Sequence, residues 1–93
     1  MTDNICVAIR IEGRVQMVGF RWFVRQWADD LGLSGWVRNN PDGSVGVEVE
    51  GNKEKVETLV TYLKEGPKLA RVEHVKVDSK PFENRFRSFE IRY

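Results

Sequence analysis

Apolar side chains change their spacing early in the chain, and that change predicts the first elements. Ile5, Val7, Ile9 and Ile11 alternate with Cys6, Ala8, Arg10 and Glu12. This is the period of two expected of a strand packed on one face. From Phe20 the period lengthens. Phe20, Phe23, Val24, Trp27, Ala28 and Leu31 recur at helical spacing, while Arg25, Gln26, Asp29 and Asp30 fall on the other side. The pattern predicts an amphipathic helix of about three turns that stops at Gly32. Between strand and helix lies the loop Gly13-Arg14-Val15-Gln16-Met17-Val18-Gly19.

Further along, Ser34 to Asn39 reads as a strand, and Asn40-Pro41-Asp42-Gly43 carries strong turn chemistry. Val45, Val47 and Val49 alternate with Gly46, Glu48 and Glu50 to form the returning strand. A second helix is expected from Lys53 to Glu65, with Val56, Leu59, Val60 and Leu63 on one face. Asn52 is its expected N-cap, and Gly66-Pro67 ends it. Val72 to Asp78 is a further strand, Ser79 to Arg85 a loop, and Phe89, Ile91 and Tyr93 mark a short closing strand. The order βαββαβ, with that extra strand, predicts an α+β ferredoxin-like sandwich. Two helices would cover one face of an antiparallel sheet. One domain over residues 1–93 is expected, without linkers or repeats.

Composition narrows the functional classes. The chain is 41% apolar and 31% charged, which argues against disorder. Its net charge of +1 supplies no bulk field to attract nucleic acid or an anionic membrane. A stacking platform for bases needs several exposed aromatics in a basic groove. Of the three tryptophans, Trp27 falls on the core face, Trp36 reads as structural, and Trp22 alone faces outward. The single cysteine, Cys6, excludes an internal disulfide and fits a reducing compartment. No apolar run reaches transmembrane length, and Met1-Thr2-Asp3-Asn4 lacks the basic and apolar segments of a signal peptide. A cytoplasmic monomer without nucleic-acid or membrane partners is the expectation. His74 has no companion at metal-ligand spacing, so neither a metal nor a cofactor is expected.

The loop is the most informative segment. A short glycine-bearing loop that feeds a helix and ends in arginine is suited to a phosphate-like anion. The first backbone N–H groups of a helix lack helical partners and sit at the positive end of its dipole. Arg21 adds a planar fork that can hold two phosphoryl oxygens.

Gly13-Arg14-Val15-Gln16 with Val18-Gly19-Phe20-Arg21 resembles the signature loop of the acylphosphatases. Gly35-Trp36-Val37-Arg38-Asn39 with Pro41-Asp42-Gly43-Ser44-Val45 resembles that family's second signature, and Phe89-Glu90-Ile91-Arg92-Tyr93 its ending. The resemblance implies metal-independent hydrolysis of the carboxyl-phosphate bond of acyl phosphates, without a phosphoenzyme. It implies that Arg21 and the backbone of Val15, Gln16, Met17, Val18, Gly19 and Phe20 bind the phosphoryl group. It also implies that Asn39 positions the attacking water. Those roles suit the chemistry: the leaving carboxylate needs no strong acid, and an amide orients water without ionising. Arg14 fits a field-supplying role or an ordinary surface position equally.

One residue departs from the pattern. Met17 stands where the family loop usually has glycine. In a left-handed backbone it would cost about 1–2 kcal/mol; at negative φ it would be benign. The alternative that follows is a weakly active or non-catalytic anion-binding module. Gly19-Phe20-Arg21-Trp22-Phe23-Val24 also resembles the acylphosphatase-like N-terminal domain of the carbamoyltransferase of hydrogenase maturation, but no zinc-finger cysteines accompany it.

Overall fold

The structure, a computed structural model, describes residues 3–93. Met1 and Thr2, the start of the segment read above for a signal peptide, lie outside the described residues. The elements are β1 (Asn4–Arg14), α1 (Phe20–Asp30), β2 (Ser34–Asn39), β3 (Val45–Asn52), α2 (Lys53–Glu65), β4 (Arg71–Lys80) and β5 (Phe89–Arg92). Two helices pack on a five-stranded sheet of order β4-β1-β3-β2-β5. The pairs β1–β3, β1–β4 and β2–β3 are antiparallel. The closing strand β5 runs parallel to β2, so the sheet is mixed at that edge. This refines the antiparallel expectation and matters for the site.

The alternating residues form the core. Val7, Ile9, Ile11, Val37, Val45, Val47 and Val49 meet Phe20, Val24 and Ala28 of α1 and Val56, Leu59 and Leu63 of α2. Each side chain of this size contributes about 1.5–3 kcal/mol when fully buried. Trp27 is half-buried and stacks on Tyr62 at 4.2 Å, joining the two helices.

The other sheet face departs from the simple polar exterior that the alternation suggests. Glu48 and Glu50 are 7% and 2% exposed, covered by the segment between β4 and β5. The Phe86 N–H donates to Glu50 Oε1 at 3.0 Å, Arg85 pairs with Glu48, and Lys80 lies 3.9 Å from it. Cys6 is buried beside them. Burial, and then the Glu48 and Glu50 carboxylates, pushes its thiol pKa up. The group is therefore a protonated core side chain and not a thiolate.

Candidate active site

β1 does not run straight into the loop. Its register with β4 shifts between Glu12 and Gly13, a bulge that re-aims the strand end. Gly13 has φ +128, and a Cβ there would stand 2.1 Å from the Arg71 carbonyl oxygen, so only glycine fits. Val15 and Phe20, 1% and 2% exposed, then pin both ends of the loop in the core. Between them Met17 and Gly19 are exposed, while Gln16 and Val18 are half-buried.

Gln16 fastens this loop to the β2–β3 turn. Its Nε2 donates to the carbonyl oxygens of Asn40 at 2.7 Å and Ser44 at 2.9 Å. Asn40 holds the turn itself: its N–H donates to the Ser44 carbonyl, its Nδ2 to the Ser44 hydroxyl, and its carbonyl accepts from Gly43. Asp42 Oδ1 accepts from the Ser44 hydroxyl and N–H, and Asp42 also pairs with Arg10. The Ser44 hydroxyl first, then Arg10 and the Ser44 N–H, hold the Asp42 carboxyl well below the ordinary carboxylate range. The turn is thus maintained without Asn39. Asn39 lies two residues beyond Val37, on the helix-covered face, and its buried Oδ1 has no hydrogen-bond partner.

Opposite Asn39 stands the start of α1. The two helices provide an internal contrast. At α2, Asn52 accepts from the Lys55 N–H at 3.1 Å, and Glu54 occupies the first turn, as the dipole favours. At α1 the N-cap is Gly19, left-handed at φ 78, with no side-chain cap and no acidic residue in the first turn. Arg21 stands there instead. It forms no ion pair among the described residues, and its guanidinium lies 4.6 Å from the centre of the Tyr93 ring. A cation at an uncapped helix start opposes the dipole unless an anion joins them.

These groups share one cavity of about 210 Å³, lined by Val15, Met17, Gly19, Phe20, Arg21, Trp22, Asn39, Ile91 and Tyr93. That is smaller than the roughly 300–1,000 Å³ of drug-sized pockets. A groove of about 1010 Å³ between α2 and the β1–β4 edge lacks comparable machinery. Of the residues singled out in the sequence, Arg21, Asn39, Val15, Met17, Gly19 and Phe20 meet at the small cavity. Gln16 and Val18 do not line it: Gln16 braces the turn, and Val18 packs on the core. Arg14 belongs to a separate hollow with Lys68 and Arg71. Met17 has φ 61 and is 99% exposed, so the left-handed case holds.

Sequence reasoning did not assign Tyr93, Ile91 or Trp22 to the site. The alternation of Phe89, Ile91 and Tyr93 put the β5 side chains on one face. What carries Tyr93 to Arg21 is the parallel pairing with β2, which places it one step beyond the Arg38–Arg92 pair and thus beside Asn39.

The acylphosphatase family model matches residues 7–91. The chain belongs to the acylphosphatase family. It is 49% identical over 86 residues to an acylphosphatase of Salinibacter ruber, covering 92% of this chain and 90% of that protein. Among solved structures, the acylphosphatase from Bacillus subtilis superposes with a TM-score of 0.92 at 35% identity, covering 96% of this chain and 99% of that one. Full-length HypF in its phosphate- and nucleotide-bound form superposes with a TM-score of 0.91 at 31% identity. That match covers 100% of this chain and 12% of HypF. Family and fold together make this acylphosphatase an enzyme acting on small acyl phosphates.

Proposed function

We propose that this acylphosphatase hydrolyses its substrate by direct, metal-independent attack of water at the small cavity, without a phosphoenzyme. The reading is carried by one convergence: Arg21, the uncapped start of α1 and the unpartnered Asn39 Oδ1 face a single small cavity. Arg21 and the main-chain N–H groups of the loop and first helical turn hold the phosphoryl oxygens. They stabilise charge that spreads over those oxygens as the bond to the leaving carboxylate lengthens. Asn39 Oδ1 accepts a hydrogen bond from the water and aims it in line with that bond.

The new bond joins the water oxygen to phosphorus, and the old bond to the acyl oxygen breaks with its electron pair on the departing carboxylate. The water proton passes to a phosphoryl oxygen. Support for direct attack comes from the cavity wall, where no Ser, Thr, Cys, His, Asp or Glu side chain is found among the lining residues. The enzyme is proposed to work as a cytoplasmic monomer.

Met17 favours a second reading, because a non-glycine residue is held in a left-handed backbone, at a cost in strain, where the family usually has glycine. In that reading the cradle binds phosphate but turns substrate over poorly. Hydrolysis of benzoyl phosphate in buffer containing EDTA separates the two. Turnover well above the spontaneous rate is expected; phosphate binding by folded protein without turnover would establish the anion-binding module instead.

A further inference from the structure

Among the described residues, six large apolar or aromatic side chains are exposed: Met17, Trp22, Leu69, Val77, Phe82 and Tyr93. Three of them, Met17, Trp22 and Tyr93, line the same 210 Å³ cavity. Exposed apolar surface clustered at a cavity marks a binding surface more often than chance scatter does. Met17 strengthens the point. It combines an unfavourable φ of 61 with complete exposure, so neither backbone preference nor burial accounts for it. Tyr93 is 98% exposed, and its ring lies 4.6 Å from the Arg21 guanidinium.

The chemistry of the substrate says what such a rim would meet. The carbonyl carbon is one bridging oxygen away from phosphorus, so the acyl substituent must emerge from the cradle directly onto the rim. Among the described lining residues Arg21 is the only charged side chain, and in the proposed reading the phosphoryl group engages it. A second carboxylate or an ammonium on the acyl group would find no opposite charge there, while an aromatic ring would find Trp22, Tyr93 and the Met17 thioether.

We propose that Met17, Trp22 and Tyr93 form an acyl-group subsite that selects compact aromatic or apolar acyl phosphates over acetyl phosphate. The proposal rests on the hydrolase reading above and concerns the part of the substrate that does not react. Trp22 is its cleanest test, because its indole is 62% exposed and it has no part in the proposed chemistry.

The measurement is kcat/KM for benzoyl phosphate and acetyl phosphate in wild type, Trp22→Ala and Trp22→Phe, with the fold checked by circular dichroism. Wild type is expected to favour benzoyl phosphate. Trp22→Ala should shrink that preference by roughly tenfold, the usual order for losing an apolar contact in a pocket. The change should fall mainly in the KM for benzoyl phosphate, and Trp22→Phe should restore most of it. Met17→Gln, which keeps length but adds polarity at a fully exposed side chain, should shrink the ratio as well and serves if Trp22→Ala does not fold. An equal loss on both substrates, or an unchanged ratio, overturns the subsite while leaving the hydrolase reading intact. Turnover of neither substrate by folded wild type overturns both.

Discussion

Arg21 stands in the first turn of α1 facing Tyr93, and its energetics differ with and without an anion. Unliganded, its repulsion from the dipole, about 0.3–1 kcal/mol, is offset by a cation–π contact of about 0.5–1 kcal/mol. Arg21→Ala should therefore leave stability in urea nearly unchanged while lowering kcat/KM by at least about 10³, the upper range for one preorganised donor. Arg21→Lys should not recover the loss, since a point charge cannot reproduce the two-pronged grip. Asn39→Ala is expected to lower kcat on the order of 10²–10³. Wild-type-like turnover in either alanine variant removes the assigned role. Met17→Gly should relieve about 1–2 kcal/mol of left-handed strain and return about 0.5–1 kcal/mol in chain entropy. A gain near 0.5–1 kcal/mol in urea unfolding is expected.

The helices and the turn divide groups that hold the fold from groups assigned to the proposed function. α2 has an asparagine cap and a first-turn glutamate, as an element built for stability would. α1 has neither, and its stability comes from the burial of Phe20, Val24 and Ala28. The turn after β2 holds its shape through Asn40, Asp42 and Ser44, which leaves Asn39 free. Because the folded-state pKa of Asp42 is depressed, its stabilising contribution is complete above the unfolded carboxylate value of about 3.9 and is lost as pH falls below it. Asp42→Ala should therefore lower stability at neutral pH and flatten the decline in stability below about pH 4, measured by urea unfolding across pH. An unchanged acid limb would show that the Arg10–Asp42–Ser44 group contributes nothing to the fold.

Across the molecule, the sheet carries the proposed site at one end of the helix-covered face and a buried charged cluster on the other. Arg85→Ala leaves Glu48 with Lys80 at 3.9 Å and the weakly donating Cys6 thiol at 3.8 Å. It should cost about 1–3 kcal/mol for an under-satisfied carboxylate without changing kcat; a loss of kcat would show that the two faces are coupled. The two-residue and helical periods of Ile5–Ile11 and Phe20–Leu31, the Asn52 cap and the Asn40–Gly43 turn were legible in the sequence. Each is an interaction among residues a few positions apart, which the chain makes wherever it folds. The uncapped start of α1 beside Arg21, on which the proposed anion site rests, was legible for the same reason: those groups are neighbours in the chain. The left-handed backbone of Met17 was not, because the loop path depends on Val15 and Phe20 being buried and on Gln16 reaching Asn40 and Ser44. Nor were the closure of Arg85 over Glu48 and the parallel seating of β5, which brings Tyr93 to Arg21. Those contacts join segments tens of residues apart, and their energies exist only after the sheet order has brought the segments together.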